Sequence, residues 1–110
     1  MKRLPLVEIK RKVILNEEDF FHRLFPKRYS MALDAVRIFN LIKQGKITQY
    51  SYQDVPEKLG ISQSRFYYIL RKLRMLGIVR KVNERYELSR DFVNRLELLK
   101  EYYENLVGKS

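Results

Sequence analysis

A chain of 110 residues with 23 Lys and Arg against 13 Asp and Glu, and no cysteine, has room for one core and a net charge of +10. Those numbers exclude separate cofactor and substrate domains, a disulfide framework, a redox dithiol and a thiolate zinc site. No apolar stretch approaches a membrane span or a secretory leader, so a cytoplasmic chain with a polyanionic partner is expected, nucleic acid before a membrane surface.

Leu4–Leu15 alternates, with Val7, Ile9, Val13 and Leu15 on one side and Glu8, Lys10 and Lys12 on the other, which predicts a strand. Asn16 can cap a short helix whose first turn, Glu17-Glu18-Asp19, suits the positive helix end, and Pro26 stops it. His22, the single histidine, reads as a structural or surface residue. A basic linker, Lys27-Arg28-Tyr29, leads to Ser30, the expected cap of a helix over 31–44 with the inward stripe Ala32, Ala35, Val36, Phe39 and Ile42.

The run 47–50 is short and β-prone. Ser51, with Asp54 three residues on, predicts a further helix start, but Pro56 would then be the fifth helical residue, the first whose N–H is needed inside the helix. A distorted or late-starting helix of about two turns, ended by Gly60, is expected. Ser62 caps the next helix, which ends at Gly77. At about 100° per residue, Phe66, Ile69, Leu70, Leu73 and Leu76 fall within an arc of about 120°, opposite Ser64, Tyr67, Tyr68, Arg71 and Met75. Residues 78–82 and 85–88 predict a hairpin turned at Asn83-Glu84, and Ser89 caps a helix over 90–107. That last helix is apolar over more than half its circumference, more than one small core covers. Its surplus, Phe92, Leu96, Leu99, Tyr102, Tyr103 and Leu106, predicts a homodimer interface.

The charge is unevenly placed. Residues 62–88 hold seven basic residues against two acids, and 89–110 hold four of each. Between Gln63 and Lys81 there are six basic residues and no acid, whereas a merely soluble surface intersperses both signs. A second cluster, Lys2, Arg3, Lys10, Arg11 and Lys12, has only Glu8 against it.

The order helix, short strand, two-turn helix, Gly turn, longer helix and basic hairpin, together with the run Asp54-Val55-Pro56-Glu57-Lys58-Leu59-Gly60-Ile61-Ser62 and the later Phe66, Leu70, Leu73 and Leu76-Gly77-Ile78-Val79, resembles the winged helix-turn-helix transcriptional regulators of the MarR/ArsR-like kind. The "Leu-Gly-Ile-Ser" turn and the "Leu-x-x-Leu-Gly-Ile-Val" step carry most of the likeness, over roughly 30–89. The chain departs from the pattern at Pro56, where a small helix-forming residue is usual. The resemblance implies a winged helix-turn-helix domain over 30–89; with the strand and helix read over 1–29 as an N-terminal extension and the helix of 90–110 as a C-terminal dimerisation helix, the expected fold is α+β, mainly α.

A helix about 10–12 Å across fits the major groove, and residues near its N-terminus meet base edges. Gln63 or Arg65 could make bidentate contacts to bases, and Ser64, Tyr67 and Tyr68 could reach bases or phosphates. Arg71, Lys72 and Arg74 suit phosphates, and Arg80, Lys81 and Arg85 on the hairpin suit an adjacent groove or backbone. Each has a plainer alternative: a tyrosine covering a neighbouring element, Arg65 paired with Glu57 or Asp54, the hairpin cations on a solvated strand face.

No nucleophile–base pair, phosphate loop or metal-ligand spacing is present, so neither catalysis nor a cofactor is expected. Glu97, Glu101 and Glu104, interleaved with Lys100, read as an exposed helix face. No pocket for a small-molecule effector is legible. The expected activity is sequence-specific binding of double-stranded DNA by a homodimeric regulator, a repressor by occupancy. A nonspecific nucleoid or architectural protein and a winged helix used for protein interaction are the alternatives, with RNA binding a weaker variant.

Overall fold

The computed structural model describes residues 16–48, 50–51 and 53–108. The strand expected over 4–15 and the basic cluster from Lys2 to Lys12 lie outside the described residues. Within them the chain is α+β and mainly α: helices α1 (Glu17–Leu24), α2 (Tyr29–Lys43), α3 (Asp54–Leu59) and α4 (Gln63–Leu76), strands β1 (Val79–Val82) and β2 (Arg85–Leu88), and helix α5 (Asp91–Val107).

Local chemistry sets most of these boundaries. Asn16 caps α1 by accepting from the Asp19 amide at 2.9 Å, and Ser62 caps α4 by accepting from the Arg65 amide at 3.0 Å. Gly60 and Gly77 end α3 and α4 in the left-handed conformation. Three expected caps are corrected. Arg90, not Ser89, stands at the N-cap of α5, while the Ser89 hydroxyl one residue earlier accepts from the Asp91 amide. Tyr29 begins α2 behind Arg28, with no side-chain cap; the Ser30 hydroxyl instead accepts from the Arg65 guanidinium at 3.0 Å. Ser51 does not open α3: its hydroxyl accepts from the Thr48 amide at 2.9 Å, closing a turn ahead of the helix. Starting α3 at Asp54 makes Pro56 its third residue, inside the first turn, where no helical N–H partner is missed.

The core draws on every element before α5. Phe21, Leu24 and Phe25 come from α1 and its end, Ala32, Ala35, Ile38 and Ile42 from α2, and Val55 from α3. Phe66, Ile69, Leu70 and Leu73 come from α4, Ile78, Val79 and Tyr86 from the hairpin, and Ile47 from the segment before α3. Helix α1 thus shares one cluster with α2 and α4. Covered by α1 as well as by α4 and β2, helix α2 is buried over a wider arc than the expected stripe, and Asp34 and Ile38 fall inside it.

β1 and β2 pair antiparallel, with Arg80 opposite Glu87 and Lys81 opposite Tyr86, across a turn where Asn83 takes a φ of 56°. The hairpin is fastened to the segment before α3 by the Tyr86 amide donating to the Ile47 carbonyl at 3.1 Å and by a bridge between Thr48 and Arg85.

Among the described residues, helix α5 is rooted only at its start. The Ser89 hydroxyl accepts from the Asp91 amide, the Phe92 amide donates to the Gly77 carbonyl at 3.0 Å, and Arg95 donates to the Met75 carbonyl. The Phe92 ring meets Phe20 edge-on at 6.2 Å. Beyond that first turn no α5 residue is buried. None of the described helices is long and apolar enough to cross a membrane.

Candidate nucleic-acid interface

The outward side of α4 is the most distinctive surface that the core leaves uncovered. Four leucine, isoleucine and phenylalanine side chains hold its inner side at 1% exposure or less, which fixes the helix's rotation about its axis. Gln63, Ser64, Tyr67, Tyr68, Arg71, Arg74 and Met75 are therefore exposed, with Tyr67 and Tyr68 half in solvent. The first turn of α4 contains no acid, so the positive end of the helix is not offset there by a carboxylate of its own.

The expected contact residues divide into two groups. Gln63, Ser64, Tyr67, Tyr68, Arg71 and Arg74 share the outward side of α4, and Arg80, Lys81 and Arg85 are exposed on the hairpin beside it. Arg74 links the two, its guanidinium 5.8 Å from the centre of the Tyr86 ring. Arg80 is held across the strands by Glu87, Nη2 to Oε1 at 2.7 Å, an exposed pair that solvent and salt weaken.

Arg65 and Lys72 are turned inward. Arg65 Nε lies 2.8 Å from Asp34 Oδ2, while Asp34 Oδ1 takes Arg37 at 3.2 Å. The expected carboxylates Glu57 and Asp54 are not its partners; the nearly buried Asp34 is. Arg37 also donates to the Leu59 carbonyl at 2.9 Å, so one carboxylate on α2 ties α4 directly and α3 through Arg37. Lys72 is 6% exposed, its ammonium donating to the Leu24 carbonyl and lying 4.6 Å from the centre of the Phe25 ring. Burial pulls its pKa below the usual lysine value. As seated, Lys72 fastens α1 to α4 instead of facing outward with Arg71.

Tyr68 has both characters, half exposed yet packed edge-on against Phe25 at 6.4 Å. Asp34 was missed in the sequence, although an aspartate within an apolar stripe, with Arg37 three residues on, is a signal for a buried charge that needs partners. Among the described residues, no group of three or more His, Asp or Glu side chains could hold a metal ion.

The expected dimer residues lie along α5. Phe92 is partly buried against the core, while Leu96 is 48% exposed and Leu99, Tyr102, Tyr103 and Leu106 are 64–66% exposed. Phe92, Leu96, Leu99, Tyr103 and Leu106 alternate four- and three-residue steps, the spacing of a seam between two helices.

The chain belongs to an archaeal protein family, whose profile matches residues 16–108. That span takes in every described helix and strand, from the first turn of α1 to the last of α5. No curated protein and no solved structure is detectably similar to the chain.

Proposed function

We propose that the chain binds double-stranded DNA as a winged helix-turn-helix regulator, with α4 entering the major groove and the hairpin lying on the adjacent groove or backbone. The observation that carries this reading is the α4 face: hydroxyls, an amide, two half-exposed tyrosines and two arginines, with no acid between Gln63 and Lys81. A helix about 10–12 Å across matches a groove about 12 Å wide, and any acid on its outward side would meet phosphates on both walls.

In this reading Gln63, Ser64, Tyr67 and Tyr68 meet bases or nearby phosphates, and Arg71, Arg74, Arg80, Lys81 and Arg85 meet the backbone. Arg65 and Lys72 act from behind, setting the angle at which α4 is presented. The unpacked α5 supports a homodimer, which would place two α4 helices on half-sites about 34 Å apart. The chain is then a cytoplasmic, non-enzymatic repressor that acts by occupancy, needing no cofactor or effector.

Selection of bound duplexes from a random pool tests the proposal. An enriched inverted repeat is the expected result. Retention of all sequences alike, with a steep loss in salt, would replace regulation by architectural binding. No retained duplex at low salt would overturn DNA binding and leave α4 as a protein-docking surface.

A further inference from the structure

The linker between α1 and α2 runs along one flank of α4, and both its ends are fastened there. At its start, the Leu24 carbonyl accepts from Lys72, and the Phe25 ring lies against Tyr68. At its end, the Ser30 hydroxyl accepts from Arg65 at 3.0 Å. Between these points stand Lys27 and Arg28, both exposed. The backbone at Arg28 is held too: its carbonyl accepts from the Met31 and Ala32 amides, each at 3.2 Å. Tyr29 closes the corner by donating to Glu18 at 2.9 Å. Two cations therefore project from a braced loop.

The flank matters. With Ser64 at the centre of the outward face, Arg65 and Lys72 fall about 80–100° to one side of α4 at about 100° per residue. Arg74, which meets Tyr86 of the hairpin, falls about 80° to the other side on the same count. The loop and the hairpin thus bracket the outward face. A helix lying in the major groove has one phosphate strand along each flank, and the hairpin cations reach only one of them. The attachments at Arg65 and Lys72 stand seven positions apart on α4, about 10 Å, so the loop follows about two turns of that flank.

We infer that Lys27 and Arg28 form a second phosphate-binding edge, gripping the strand on the side of α4 away from the hairpin. The inference rests on the proposed docking of α4 in a duplex. Its contribution is independent of sequence, because the two side chains meet backbone and not base edges.

The test is a salt titration of duplex binding by the full chain and by the double variant Lys27→Gln, Arg28→Gln, with Lys43→Gln, Lys100→Gln as a variant of equal net charge. Two lost phosphate contacts lower the slope of log affinity against log salt by about 1.8, which is about 30-fold in affinity at 0.15 M salt. That loss, equal on every sequence tested and absent from the charge-matched variant, is the expected result, with thermal unfolding of both variants matching the parent chain. Lys27→Arg, Arg28→Lys, which keeps both charges, retains the slope. A double variant with the parent's slope, or a charge-matched variant that loses as much, overturns the second edge and leaves α4 docking standing. A parent chain that binds no duplex overturns both.

Discussion

Asp34 is the residue on which the arrangement of α4 turns. At 9% exposure it sits within the buried arc of α2 and is tolerated there because Arg37 and Arg65 reach it from two directions. Removing it leaves the half-buried Arg65 without its carboxylate. Asp34→Ala is expected to lower unfolding stability by about 1–3 kcal/mol, less than a fully buried pair because Arg65 keeps some solvent. Urea denaturation measures this, and duplex affinity should fall further than stability alone explains because α4 loses its tie to α2. Two other side chains leave opposite marks on the pH profile. The lysine charge of Lys72 is disfavoured by burial, so the unfolded chain holds more protons below the ordinary value of 10.5, and stability rises with pH through that window. Tyr29 donates to Glu18, and ionising it would lose that bond and set two anions together, so its pKa is raised above 10.0. There the folded chain holds more protons, and stability falls as pH climbs past 10.0. Denaturation followed from pH 8 to 11 should therefore lose its rising limb in Lys72→Met and its falling limb in Tyr29→Phe.

Among the elements, α5 depends on a single junction. Gly77 has a φ of +84°, and a Cβ there would stand 3.0 Å from both the Phe92 amide nitrogen and the Asp91 side chain. Gly60 has a similar φ of +71° but opens onto empty space. Gly60→Ala should therefore lose only the left-handed penalty, about 1 kcal/mol, while Gly77→Ala loses more because the start of α5 must also shift. A comparison of the two melting temperatures checks the order. Beyond the junction α5 packs on none of the other described elements, and a row of exposed leucines and tyrosines is stabilised when a second copy covers it. The parent chain is expected to sediment at twice the protomer mass, and Leu99→Glu with Leu106→Glu at one protomer mass, with the unfolding of α1 to β2 retained. A monomeric parent chain would rule out this use of the helix. The hairpin and the caps of α1 and α4 were legible in the sequence because each depends on residues within four positions: Asn16 on Asp19, Ser62 on Arg65, Asn83 at its own turn. The caps of α2 and α3 were not. Ser30 had the right type and place, but Arg65, far along the chain, claimed its hydroxyl; Ser51 was claimed by the Thr48 amide, a local turn bond that the same residue type makes as readily as a cap.

For the whole molecule, charge and packing are separated in space. Among the described residues, the α4 face, the hairpin and the linker at 27–28 carry the exposed basic clusters, while α5 mixes both signs around its apolar seam. If the first surface meets DNA, Arg71→Ala should reduce the salt slope of binding by about 0.9 on every sequence, whereas Gln63→Ala should relax preference at one base pair by about 1–3 kcal/mol. Titrating both variants against an enriched duplex and a scrambled one separates the two effects.

Sequence alone determined where the helices of the core run, which side of α4 is apolar, and that the acid-free stretch from Gln63 to Lys81 lies on that helix and the hairpin. These follow from period and local composition, which act within a few residues. The tertiary structure alone decided which cations face outward. Arg65 and Lys72 were indistinguishable by type from Arg71 and Arg74, yet 65 and 72 fall on the flank where α2 and α1 approach and find Asp34 and the Leu24 carbonyl. A long basic side chain bonds to whatever acceptor the packing brings near it, and contacts made across 31 and 48 residues are not written in any local pattern.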